Sequence, residues 1–203
     1  MSICPLDNGA IIFASVYSSE TGIWSDLVST TLPWCSIIRF SRRSTLVGNT
    51  LHWLIAMDTI LEFDLDTQML AVTKRPPGAP PRYENVQIIQ SEDCGVGFAA
   101  LSGSRYQPYL QMWDRKVDSH GAVTWVLQKT LELQKILGLE SRIDKDKSSI
   151  LHYLDDVQAI FLRVQSSLYM VDLESMQSKE LSKGIGNFIY RPFTSFFTEG
   201  ILQ

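Results

Sequence analysis

The chain is poor in the residues that build chemistry. It has 3 histidines and 3 cysteines among 203 residues. His52, His120 and His152 have no neighbouring Cys or acid at ligand spacing, which argues against a zinc site or a catalytic triad. Cys4, Cys35 and Cys94 are odd in number and form no CxxC pair, so they read as reduced thiols of a cytoplasmic or nuclear protein rather than a disulfide framework. There is no basic excess either. Lys and Arg total 18 against 22 Asp and Glu, a net charge of −4, so nucleic acid is not an expected partner. No apolar run approaches the roughly 18 residues that span a bilayer. The N-terminus lacks a basic region ahead of its short apolar stretch, and none of Asn8, Asn49, Asn85 and Asn187 has Ser or Thr two residues on. Neither a membrane nor secretion is expected, and no cofactor motif appears.

What is present is strand signal. The chain is 45% hydrophobic and 20% charged, enough to bury a core. Short β-branched and aromatic runs are cut repeatedly by Gly, Pro, Asn, Asp and Ser. One turn recurs: Tyr17-Ser18-Ser19-Glu20-Thr21-Gly22-Ile23-Trp24, then Phe63-Asp64-Leu65-Asp66-Thr67-Gln68-Met69-Leu70, then Val171-Asp172-Leu173-Glu174-Ser175-Met176. Each copy has an apolar strand end, a small acceptor, an acid and a hydroxyl. The copies start at 17, 63 and 171, so the first step is 46 residues and the second is 108, twice 54. A propeller blade repeats at roughly 40 to 50 residues. The spacing predicts an all-β, propeller-like array of about four antiparallel blades, possible as an incomplete propeller, with approximate limits 1–45, 46–90, 91–140 and 141–203 in one domain. Leu133, Ile136 and Leu137 keep helical spacing before Gly138, which predicts one short helix near 131–137.

The remaining motifs favour structure over chemistry. Asp64-Leu65-Asp66 could begin a calcium loop, but that loop wants Gly at 69 and Glu at 75, where Met69 and Arg75 stand. Side-chain oxygens that satisfy turn amides explain it better. Glu92-Asp93 and Asp155-Asp156 flank turn signals and read as solvated loops rather than acid/base pairs. Gly184-Ile185-Gly186-Asn187 lacks the third glycine and the strand-to-helix setting of a phosphate loop. Arg39, Arg42 and Arg43 read as a solvated edge. Trp24, Trp53, Trp113 and Trp125 fall on strands and are expected to fill wedges between blades.

In their order along the chain, Val16 to Ser25, Leu46 to Leu54, Ile60 to Leu65, Leu110 to Trp113, Val171 to Met176 and the ending Tyr190-Arg191-Pro192-Phe193-Thr194-Ser195-Phe196-Phe197 resemble the kelch-like propeller region of plant F-box-associated proteins. The resemblance implies a protein-interaction module like the substrate-recognition part of an F-box subunit in an SCF-type ubiquitin ligase. It implies no enzyme activity, and a Skp1 adaptor as partner only where an F-box lies upstream. A Leu-Pro-led helical F-box segment is not found in this sequence. The competing expectations are a truncated paralogue without a ligase role and a propeller enzyme; the latter would need His52, His152 and a carboxylate to converge. Loops at Arg75 to Asn85 and Gly103 to Pro108 combine Arg, Tyr and Pro without a core to fill. They make Arg75, Arg82, Tyr83, Arg105 and Tyr106 the candidate partner-binding residues, joined by Trp34 in the connection after Pro33.

Overall fold

In a computed structural model of the chain, residues 2–7, 9–33, 44–56, 58–82 and 85–184 are described, and they are almost entirely β. Three four-stranded antiparallel meanders follow one another. The first holds β6 (Thr45–Val47), β7 (Thr50–Ala56), β8 (Thr59–Asp64) and β9 (Leu70–Lys74). The next holds β10 (Val86–Gln90), β11 (Val96–Ser104), β12 (Gln107–Val117) and β13 (Val123–Glu132). The last holds β14 (Ser148–Leu154), β15 (Ala159–Val164), β16 (Ser167–Asp172) and β17 (Ser178–Ser182). Ahead of them lies a three-stranded sheet of β1 (Ser2–Leu6), β2 (Gly9–Ala14) and β5 (Val28–Pro33). Its β2–β5 connection is prolonged by a hairpin of β3 (Tyr17–Ser18) and β4 (Ile23–Trp24). The expected four-unit, all-β array is what the chain forms. Val86–Gln90, which lies inside the span 46–90, pairs with Val96–Ala100 and so opens the third sheet.

The short helix is α1 (Leu133–Ile136), and its end follows from one residue. Gly138 adopts φ +62°, which lets the Leu139 amide reach back to the Gln134 carbonyl at 3.0 Å. The repeated turns also form as backbone punctuation. The Thr67 amide and hydroxyl donate to Asp64 Oδ1 at 2.7 and 2.8 Å. The Glu174 and Ser175 amides donate to Asp172 Oδ1 at 3.0 and 2.8 Å. These bonds hold both carboxyls below the usual aspartate range. Among the described residues no group of three or more His, Cys, Asp and Glu is placed to hold a metal. Several turns complete their reversal with a non-glycine residue at positive φ: Gln68, Cys94, Gln158, Gln165 and Met176.

Alternation along each strand sends side chains to both faces, and both faces are apolar. Three seams result. Ile12 and Leu32 of the first sheet meet Ile55 and Leu61 of the second. Val47, Leu54 and Ile60 of the second meet Ile88, Phe98 and Trp113 of the third. Ala99, Leu101 and Leu110 of the third meet Ile150, Ile160, Leu162 and Val171 of the fourth, with Leu133 of α1 closing that seam. In the middle seam the Phe98 ring meets Trp113 and Trp125 edge-on, at centroid distances of 6.0 and 5.9 Å. Trp53 packs half-buried into the first seam. Trp24 departs from the expectation of a core wedge: it is 64% exposed, its ring tilted at 51° against Tyr17 at 5.4 Å, because the β3–β4 hairpin runs beyond the sheet it extends.

A polar network crosses the middle seam. Arg115 of β12 donates to the Glu62 carboxylate of β8, which also accepts from the Thr73 hydroxyl at 2.6 Å. His52 lies beside them, 1% exposed, its Nε2 4.0 Å from Glu62 Oε2 and neither ring nitrogen hydrogen-bonded. Burial lowers the His52 pKa from its ordinary value, against the pull of Glu62 and with the push of Arg115. The folded state thus resists a proton that the unfolded chain accepts near pH 6.5. Stability from this group is complete above that value and is lost as pH falls through it toward the folded pKa.

Two outcomes follow for stability. Phe98→Ala should cost about 3–5 kcal/mol in denaturant unfolding and Trp24→Ala less than about 0.5 kcal/mol, the contrast being set by burial. Lowering the pH from about 7.5 to 5.5 should destabilise the wild-type chain more than His52→Gln, measured by the same unfolding curves.

Candidate functional site

A meander gives its sheet two unlike ends. In the three four-stranded sheets, the turns between first and second and between third and fourth strands lie at one end. The middle turn and the connection to the next sheet lie at the other. Backbone bonds tie each end together. Leu65 N donates to Asn49 O at 2.9 Å and Leu173 N to Gln158 O at 2.9 Å at the first. Arg75 N donates to Asp58 O at 3.0 Å and Lys145 N to Arg105 O at 2.8 Å at the second. The loops singled out by composition, 75–85 and 103–108, therefore share an end.

They are also joined there. A third segment, the connection from α1 to β14, carries a 3-10 turn at Lys145–Lys147 that is capped by Asp144 Oδ1 accepting from the Asp146 amide at 3.1 Å. Arg105 Nη2 meets Asp144 Oδ2 at 3.1 Å and its Nε meets Asp146 Oδ2 at 3.6 Å. The other Asp146 oxygen lies 3.8 Å from Arg82 Nη1. Lys145 Nζ donates to the Gly103 carbonyl at 2.7 Å. Asp146 is thus the bridge between two loops whose arginines stand 23 positions apart in sequence. The carboxylates keep the Arg105 guanidinium firmly protonated, and Arg105 in turn holds the Asp144 carboxyl low.

Arg105 and Tyr106 form the two-residue tip of the β11–β12 hairpin, between Ser104 and its partner Gln107. The Arg105 guanidinium carbon sits 5.4 Å from the centre of the Tyr106 ring. Tyr106 is 51% exposed, so its ring presents a face to solvent. The hairpin depends on Gly103, at φ +91°, where a Cβ would collide with the Gln107 carbonyl and the Tyr109 ring. Arg82, Arg105 and Tyr106 are therefore exposed, gathered and fixed from below.

Arg75 is different. It is buried, and its Nη1 reaches the Pro80 carbonyl at 3.5 Å, so it braces the 75–82 segment from inside and does not present its charge outward. Its position at the close of β9 turns the side chain under the loop. Trp34 and Tyr83 lie outside the described residues, as do Arg39, Arg42, Arg43, Cys35, the Gly186-Asn187 end of the glycine motif and the aromatic stretch 188–197. Histidines do not converge: His52 is enclosed in the second sheet and His152 belongs to the fourth. Glu92 and Asp93 are solvated, as their turn setting implies, and pair with Lys129 and Lys116. Sequence reasoning missed Asp144 and Asp146. The signal available was the acid-base alternation Asp144-Lys145-Asp146-Lys147, which reads from sequence as an ordinary charged turn.

The family model described as "F-box protein AT5G49610-like, beta-propeller" matches residues 4–185. The chain belongs to this family. Its sheets are the blades of an F-box-type propeller, and the resemblance drawn from the turns is confirmed. One solved structure, described as the extracellular domain of a one component system, BT4673, from B. thetaiotaomicron, is similar at 14% identity with a TM-score of 0.43. The match covers 92% of this chain and spans 22% of the length of that one. No curated protein matches the sequence. No helix among the described residues is long and apolar enough to cross a membrane.

Asp146 is the tie to Arg82, whereas Arg105 is also held by both oxygens of Asp144, so Asp146→Ala should free Arg82 alone, without unfolding the chain. The expected result is an unchanged melting transition, because these ion pairs are exposed, with the Arg105 Nε proton, which donates to Asp144 Oδ1 at 3.3 Å, keeping its slow solvent exchange in NMR spectra in Asp146→Ala and losing it in Asp144→Ala.

Proposed function

We propose that this propeller holds a protein substrate on the end formed by Arg82, Arg105 and Tyr106, as the recognition region of an F-box protein in a ubiquitin ligase. The observation that carries the reading is the fixed Arg105–Tyr106 tip. An exposed tyrosine and an arginine are the side chains that most often supply binding energy at protein interfaces, and a tip held by Gly103, Asp144 and Asp146 loses little freedom on binding. The arginines suit a partner segment with carboxylate groups, which can exchange with Asp144 and Asp146 for the guanidinium. No bond is made or broken in this scheme, and no cofactor takes part. Recruitment of Skp1 belongs to a helical F-box unit, and among the described residues the only α-helix is Leu133–Ile136.

The test compares a tagged full chain with its Arg105→Ala, Tyr106→Ala double variant by quantitative mass spectrometry of captured proteins. Capture of a specific partner should fall about tenfold or more in the double variant. Equal capture by both chains overturns the assignment of this end. Purified Skp1, added separately, should not be retained by either chain; retention would place adaptor binding within the propeller itself.

A further inference from the structure

At the opposite end from the Tyr106 tip, a cleft of about 590 Å³ opens between the third and fourth sheets. That volume lies within the roughly 300–1,000 Å³ of ligand-holding sites. Its floor is apolar, from Met112 and Leu173. Gln158 and Gln90 form one wall, locked by a bond from Gln158 Nε2 to Gln90 Oε1 at 3.0 Å. The charge of the lining is one-sided: Glu92, Asp114 and Glu174 face a single ammonium, Lys129, which already donates to Glu92.

Asp114 is the unbalanced group. Its side chain is only 17% exposed, and its nearest cation is Lys116 Nζ at 4.0 Å. Lys116 is already engaged, donating to Asp93 at 2.8 Å. Among the described residues no donor makes a hydrogen bond to the Asp114 carboxylate. Burial raises its pKa, and the charges of Asp93 and Glu92 add to the rise against Lys116 and Lys129. A carboxylate drawn this far from water without a donor is costly, and a cation entering the cleft would relieve the cost.

We infer that this cleft receives a lysine or arginine side chain from an extended segment of a protein partner, its stem on Met112 and Leu173 and its charged head at Asp114 and Glu174. Lys and Arg are suited to such a place because they bury an aliphatic stem and keep a charged tip. An extended segment fits because the lining spreads from the turn carrying Glu92 and Cys94, past Asp114 of β12 and Lys129 of β13, to the turns carrying Gln158 and Glu174 on the fourth sheet. The net charge of −4 favours approach of a basic partner. The inference rests on reading the chain as a protein-interaction module, and it adds a second contact at the end away from Arg105.

The probe is the peptide acetyl-Gly-Leu-Lys-Leu-Gly-amide, titrated into the 15N-labelled full chain and compared with versions that carry Arg or Glu in place of Lys. The Lys and Arg peptides should shift amides at 90–94, 112–114, 128–129, 158 and 173–174, and the Glu peptide should not. Asp114→Asn should weaken binding about tenfold or more. Glu174→Lys, at an exposed turn position that leaves the core untouched, should do the same. Absence of shifts at these residues, equal binding of the Glu peptide, or unchanged affinity in both variants would overturn the inference. The Arg105→Ala, Tyr106→Ala chain should still bind the peptide. A chain that captures its protein partner through Arg105 but ignores every peptide sinks the cleft alone, and one that binds the peptide but captures no protein sinks the reading of the other end alone.

Discussion

A β-sheet with apolar residues on both faces cannot leave either face in water, and everything else in this chain follows from that constraint. Each sheet finds a neighbour for each face it can, so the third sheet sends Phe98 and Trp113 one way and Ala99 and Leu101 the other. The alternation of a strand is enough to do this, since adjacent residues point to opposite faces. Sheets stacked this way must leave their turns at two ends, where only some turn residues, Leu173 among them, reach back into a seam.

The two ends are built with different materials. At one, the connections between sheets are long enough to carry a 3-10 turn, whose carboxylates gather Arg82 and Arg105 from separate loops. At the other, the turns are short and self-satisfied, and the space between two sheets is left as a cleft whose carboxylates exceed its ammonium groups. The first end exposes cations and an aromatic ring. The second presents an acidic hollow.

Much of the fold was legible because turns are local. Asp64 and Asp172 bond to amides two and three residues on, so their pattern survives in sequence as a spacing of acids and hydroxyls. Gly138 could likewise be read as a helix stop from its neighbours. What could not be read was any matter of which side of a seam a residue meets. Trp24 and Trp113 both sit on strands after similar residues, yet one is mostly exposed and the other fills a seam. Arg75 and Arg82 belong to one loop, and only the fold turns the first inward to Pro80. The cleft was invisible for the same reason. Asp114 and Glu174 are 60 residues apart and meet only because the third and fourth sheets pack.

The turns that end so many strands carry one more implication. Gln68, Cys94, Gln158, Gln165 and Met176 hold a left-handed backbone that glycine or asparagine adopts more readily. Left-handed geometry costs an ordinary residue of order 1 kcal/mol, so the chain carries a reserve of unrelieved strain spread over its blades. A lineage under pressure for heat resistance could draw on that reserve first at Gln68 and Gln165, which belong neither to a seam nor to the lining of the cleft.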